Sequence, residues 1–478
     1  MTHTRTLAQF AFRTMLDEVP GQVRRDACLV ILDGLGCALG AAGLEQSRMM
    51  VQAVIGASGQ GPCQIIGWPE RITPPLAAFI NAKLGNLMDM DDVWLNIGHQ
   101  SPVVLYPTLA EGEAHNARGA DVLVAFIVGY EVASRVVAAL GTLFNVRDGK
   151  TSPSHLTGFG HAIFGGAVAA GRLVGLDEEK MLQVLGIAGI YSPAPLSHKS
   201  VMNMSMTKYQ LDVAAMGAVM AARLAEAGVT GCTTILDDEI YARAMGKTGF
   251  WPEAITAGLG EEWAISKTSI KPYPHCRHTH YALDLLSDLM ALNRIRPDEI
   301  EAIEVTGLGN YVVHPWSLKA PADPFYAQFS LPYALALVAM GVEPGPDWMD
   351  PDLITSKKVQ SLAARVSTKE NPNILSEMLR SYPHPEMRIP TKVVVRTGRG
   401  IFEANKEYAR GDQFELSERM GEDQIVTKFK TNSAAILDKG AQETVIEMVL
   451  NLEKISGIKQ FMDLLVSREL KLVSNRAD

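Results

Sequence analysis

The sequence predicts a mainly α-helical protein: a large all-helical domain formed by both chain ends, with a smaller α+β domain inserted. Three observations lead there. Up to about residue 265, apolar and small residues recur at three- and four-residue spacing, with no strand–helix alternation. From about Lys267, short alternating stretches enter between the helical ones. Beyond residue 405 the helical spacing returns. The expected boundaries are 1–267 with 406–478 for the helical domain and 268–405 for the α+β domain.

Gln22 to Leu39 reads as an apolar helix ended by Gly40 and Gly43. Pro74-Pro75 suits a first helical turn, and Leu76, Phe79, Ile80, Lys83, Leu84 and Leu87 describe the face that packs. Asp121 is expected to N-cap the next helix and Gly141 to end it. Val122 to Leu140 is the most membrane-like run, but Glu131 and Arg135 in its middle predict a buried bundle helix instead. Ala162 to Val174 is small and apolar, and Asp177 is placed to cap a helix from Glu178 to Ile190. Lys208 to Ala227 aligns Leu211, Ala215, Ala218, Ala222 and Ala225 on one seam, with Lys208 at the helix start. In the inserted part, Tyr281 to Leu292 and Ser330 to Met340 read as helices. Glu301 to Thr306 alternates like a strand, and Lys392 to Ala404 reads as a hairpin about a Gly-rich turn. Val445, Met448, Val449, Leu452 and Ile455 mark a last amphipathic helix.

The chain of 478 residues is 47% hydrophobic and only 20% charged, a proportion that suggests surface buried in a homodimer. The net charge of −9 and the lack of any Lys/Arg cluster argue against nucleic acid as a partner. Cys28, Cys37, Cys63, Cys232 and Cys276 show no CxxC spacing, which points to reduced thiols rather than structural zinc. The N-terminal stretch has no secretory h-region, so a cytoplasmic protein off the membrane is expected. Neither a P-loop nor a dinucleotide loop is present; Gly158-Phe-Gly160 has no preceding strand.

Two stretches carry candidate chemistry. The first is Asn86 to Ser101, with Asp89, Asp91 and Asp92 followed by His99. Three carboxylates at the end of a packed helix repel one another and meet the negative end of its dipole. Such a cluster is rarely placed for stability alone. The second is Lys271 to His280, with Arg277, Cys276, His275, His278 and His280 on a loop stiffened by two prolines. Cations on a stiff loop at a domain boundary suit an anionic substrate. His155, before a helix, and Lys208 are further candidates for holding a carboxylate.

Together these pieces resemble the MmgE/PrpD family. The resemblance is carried by Met88-Asp-Met-Asp-Asp92 with His99, by Gly129-Tyr-Glu131 with Arg135, and by His155-x-Thr157-Gly158 leading to Leu173-x-Gly-Leu-Asp177. It is completed by Lys271-Pro-Tyr-Pro274 with His280 and by Gln328-Phe-Ser-Leu-Pro-Tyr333. It implies a helical domain with an α+β lid, a homodimer, a cleft between the domains, and no metal or organic cofactor. It also implies a small polycarboxylate substrate and a lyase or isomerase reaction: dehydration of the 2-methylcitrate type, decarboxylation or epimerisation. Carried over by position, Asp89, His99, His155, Lys208 and Lys271 are the catalytic candidates, and Arg277, His280, Cys276, Thr157 and Ser330 line the substrate. Val93, Gln100 and Cys276 depart from residues usual in the family.

All these reactions pass near a carbanion or enolate beside a carboxylate, so fixed cations must offset developing oxyanion charge. Lys271, Lys208, Arg277 and His155 are of the right type. His99 is the expected base, with Asp89 orienting its imidazole. Two rival readings exist. One is a Mg²⁺-dependent helical enzyme built on Asp89, Asp91 and Asp92. The other is a carboxylate-binding protein that does no catalysis.

Overall fold

A computed structural model describes residues 2–94, 98–141, 144–147, 150–153, 159–203, 206–247, 249–374, 376 and 388–467. The protein is mainly α-helical. The longest helices, Gly21–Ala42 and Gly119–Leu140, run through the interior, and Ser101–His115, Ile163–Leu173 and Leu211–Glu226 pack between and around them. Small residues set these distances. A Cβ on Gly129 would come 2.6 Å from the Gly165 carbonyl oxygen, so Gly119–Leu140 and Ile163–Leu173 touch backbone to backbone. Helix Gly119–Leu140 holds an 18-residue stretch apolar enough to cross a membrane, with mean hydropathy 1.8, yet that stretch is buried in the fold. The Glu131 carboxylate pairs with Arg135 at 2.6 Å and accepts from the Ala264 N–H. That satisfies the two charges which made the run unsuitable for a bilayer.

A second hydrophobic core is drawn from residues between Tyr273 and Ala409. It lies on a four-stranded sheet with order Gly400–Lys406, Thr391–Thr397, Ile300–Gly307, Val366–Glu370. The first three strands pair antiparallel, and Val366–Glu370 adds parallel to Ile300–Gly307. Only Val366 of that last strand is buried, and a polar edge strand leaves no alternation to read in the sequence. Helices His280–Asn293 and Leu331–Ala339 cover the sheet. Cys276, Phe325, Phe329 and Met349 belong instead to the larger core and face the helices of the other part. The candidate site sits at this seam.

Several expected boundaries move. Arg118, not Asp121, is the N-cap of Gly119–Leu140; Asp121 stands in the first turn and pairs with Arg118 at 2.8 Å. Gly141 does end that helix, and Asp177 does cap Glu178–Tyr191. The helix expected from Lys208 begins only at Leu211, because Tyr209 and Gln210 take φ of 70° and 59°, in the left-handed region. The last amphipathic helix, Lys439–Leu450, stops before the short turn Leu452–Lys454.

Candidate active site

Helix Pro74–Leu87 ends in a turn at which Asp89 takes φ of 54° and donates its N–H to the Asn86 carbonyl. This left-handed step sends the three acids in different directions. Asp91 accepts from Asn86 Nδ2 at 2.7 Å and meets His99 Nδ1 at 2.8 Å. Asp92 accepts from the Ser101 N–H at 3.2 Å and the Tyr130 hydroxyl at 2.5 Å. Asp89 faces the lysines. All three are at most 1% exposed, so each needs its own partners.

Lys271 reaches this turn through a short strand pair. Val93–Trp94 pairs antiparallel with Thr268–Ser269, Val93 opposite Ser269, which brings the segment leading to Lys271 against the acidic turn. Its Nζ donates to Asp89 Oδ1 at 2.7 Å and to the Asp89 backbone oxygen at 2.8 Å. Lys208 Nζ stands 3.8 Å from Asp89 Oδ2 and donates to Gln328 Oε1. The Gln328 amide also donates to the Leu87 carbonyl at 2.6 Å. Burial pushes the Lys208 ammonium down to about 8, against the pull of Asp89. Burial would raise the Asp89 carboxyl, but Lys208, Lys271 and His99 together hold it well below the usual carboxylate range. Asp91 is lowered in the same way, with burial outweighed mainly by His99. Asp92, with no cation beside it, is pushed up to about 6 by burial and by Asp91.

His99 precedes helix Ser101–His115 and is held between aromatic neighbours. Tyr209 stacks on it at 4.8 Å and 27°, and Phe159 stands edge-on to both rings. The left-handed backbone at Tyr209 brings that ring back over His99 while Lys208 points at Asp89. With Nδ1 engaged by Asp91, Nε2 is the ring atom left to the site, 3.9 Å from Asp89 Oδ1. The hydrogen bond that orients the imidazole is therefore made by Asp91. Asp89 was expected in that role, but its side chain is committed to the lysines.

The other expected residues lie as follows. Arg277 donates to Asp412 at 3.1 Å and to the Arg410 carbonyl at 2.7 Å, which ties its guanidinium into the α+β part. His280 Nε2 meets the His275 carbonyl at 3.0 Å, and burial lowers its imidazole well below the ordinary range. Burial likewise takes His275 and His278 down to about 4. Cys276 Sγ accepts from Trp316 Nε1 at 3.4 Å, and burial raises the thiol to about 11. Ser330 caps helix Leu331–Ala339 by accepting from the Tyr333 N–H at 3.1 Å. His155 and Thr157 lie outside the described residues. The structure thus brings Asp89, His99, Lys208 and Lys271 together. The hydrogen bonds of Arg277, His280 and Ser330 go elsewhere.

Residues 5–249 match the model of the MmgE/PrpD N-terminal domain, and residues 273–454 match that of the MmgE/PrpD C-terminal domain. The chain belongs to the MmgE/PrpD family. Among curated proteins it is similar to a cis-aconitate decarboxylase of Aspergillus terreus, 23% identical over 97% of this chain and 95% of the relative. It is also similar to the human cis-aconitate decarboxylase, 25% identical over 84% and 81% of the two chains. A cis-aconitate decarboxylase-like protein of Aspergillus oryzae is 26% identical over 57% and 58%. Asp89, His99 and Lys208 fall inside the first matched stretch of this family member, and Lys271 lies between the two, two residues before the second begins.

Asp89, Asp91 and His99 could offer ligand atoms within 4.8 Å of one another. Much of this donor set is already used, although Asp89 Oδ2 accepts no hydrogen bond. The Lys271 ammonium occupies Asp89, and Asn86 and His99 occupy the oxygens of Asp91. Asp92 turns away to Tyr130, so the three acids do not converge as the Mg²⁺ reading requires. Sequence reasoning missed the roles of Asp91, Tyr209 and Gln328. Spacing cannot choose among three acids within four positions. Gln328 stood in a quoted motif without a role, and Tyr209 is marked only by its neighbour Lys208.

Proposed function

We propose that this protein is a lyase acting on a small di- or tricarboxylic acid, by proton transfer at the carbon beside a carboxylate. One observation carries the reading: His99 Nε2, Lys208 Nζ and Lys271 Nζ stand 3.9, 3.8 and 2.7 Å from the Asp89 carboxylate. An imidazole nitrogen and two ammonium groups thus surround one buried point. A lysine ammonium has three donors. Lys271 spends two on Asp89, which leaves one for a substrate carboxylate. His99 Nε2 moves the proton, with the Nδ1 tautomer held by Asp91. Lys271 and Lys208 offset the charge that develops on the carboxylate as the enolate forms. Residues 268–405 close over the substrate as the lid, and the chemistry needs no metal because ammonium groups supply the positive charge. Relatives named as decarboxylases favour a lyase over an isomerase.

The test is incubation in D₂O with cis-aconitate, citrate-like acids and substituted succinates, followed by NMR. Loss of CO₂ or water from one member, absent in His99→Asn, is the expected result. Deuterium exchange without either loss would make the enzyme an epimerase. Tight binding with no turnover would make it a carboxylate-binding protein.

A further inference from the structure

The turn bearing Asp89 and Asp91 is held from behind by a residue 338 positions later. Lys428 lies in helix Glu422–Ser433, which packs along Gly21–Ala42. Gly36 permits the crossing, since a Cβ there would stand 3.2 Å from the Phe429 Cα. Lys428 Nζ donates to the Met90 carbonyl at 2.7 Å and lies 2.5 Å from Asp33 Oδ1. The two side chains are 5% and 1% exposed, and neither Asp33 oxygen has a hydrogen-bond partner beyond this ion pair. One turn on, Asn432 Nδ2 stands 3.5 Å from Met90 Sδ.

An isolated buried ion pair adds little stability, because desolvation offsets the attraction and an apolar pair of like volume serves as well. What an apolar pair cannot do is hold a carbonyl. The Met90 carbonyl belongs to the peptide joining Met90 to Asp91. Fixing that plane fixes ψ of Met90 and φ of Asp91, and so the direction of the Asp91 carboxylate toward His99 Nδ1. Burial works against the Lys428 charge, but its acidic neighbours, Asp33 foremost, raise the ammonium above its ordinary range, while burial raises the Asp33 carboxyl.

We propose that Lys428 is a positioning residue of the active site: anchored by Asp33, it fixes the Met90–Asp91 peptide and thereby the Asp91–His99 contact. The kinetic part of the test rests on the role assigned to His99. The spectroscopic part does not.

In protein labelled with ¹⁵N-histidine, the His99 Nδ1–H resonance is assigned by its loss in His99→Asn. Lys428→Met is expected to shift or broaden that resonance and to lower kcat about 10-fold or more at nearly unchanged KM. Lys428→Arg should preserve both. The double variant Lys428→Met with Asp33→Leu should regain the melting temperature without regaining the resonance or kcat, and it is the variant to measure if Lys428→Met does not fold. An unshifted resonance with wild-type turnover in either variant overturns the proposal. A shifted resonance with unchanged kcat supports the positioning and overturns the role of His99.

Discussion

His99 Nδ1 lies 2.8 Å from Asp91 Oδ2, while Asp89 stands 3.9 Å away on the Nε2 side. The two ring nitrogens therefore answer to different carboxylates. Asp91 sets the tautomer and Asp89 shares the substrate side with the lysines. Asp91→Asn should lower kcat about 10²-fold, on the scale of losing the base itself in His99→Asn. Steady-state kinetics checks this; wild-type turnover in Asp91→Asn would remove the orienting contact from the mechanism.

Lys271→Met should destabilise the fold as well as the chemistry. It leaves the buried Asp89 with one cation at 3.8 Å, and removing one partner of a buried pair typically costs about 3–5 kcal/mol. Adding Asp89→Leu should recover most of that loss in a urea melt while turnover stays abolished. A Lys271→Met protein as stable as wild type would show that Asp89 does not depend on this ammonium.

Turnover should fall as pH rises through about 8, where Lys208 loses its proton. Lys208→Arg should carry the limb to higher pH, since guanidinium does not titrate there. Stability moves the other way. The unfolded lysine keeps its proton to its ordinary range, so between about 8 and 10.5 the unfolded state binds more protons, and Lys208 contributes a gain in stability with rising pH. The difference between wild type and Lys208→Met in denaturant melts across that window should show the gain; parallel curves would contradict the placement of Lys208.

Exhaustive dialysis against EDTA should leave turnover unchanged, because Lys271 and Lys208 stand where a cation would bind Asp89. Activity lost to chelator and restored by Mg²⁺ or Zn²⁺ would refute the ammonium-based mechanism.

Ile190, Tyr191, Leu196, Val213 and Met220 are exposed large apolar residues. A methyl group on Gly217 would lie 3.7 Å from Tyr191 Cβ, which joins the end of Glu178–Tyr191 to the outer face of Leu211–Glu226. We expect a homodimer burying this face, with more than about 2,000 Å² in total. Light scattering at micromolar concentration checks it, and Met220→Glu should shift the mass toward the monomer.

The sequence alone was enough to predict the mainly helical class, the Pro74–Leu87 and Glu178–Tyr191 helices, the hairpin at Thr391–Lys406 and, through Glu131 and Arg135, the burial of Gly119–Leu140. These depend on local spacing, capping and turn chemistry, which lie in neighbouring residues. His99, Lys271 and Asp89, which the structure brings together, were singled out in the sequence by the clustering of titratable groups. Only the tertiary structure decided which acid serves which partner. The left-handed turn at Asp89 parts neighbouring acids, and the short pairing of Val93–Trp94 with Thr268–Ser269 and the approach of Lys428 to Met90 join residues far apart in sequence. Charge type can be read along a chain. The partner of a buried charge is set by which backbone segments pack together, and no single stretch of sequence encodes that.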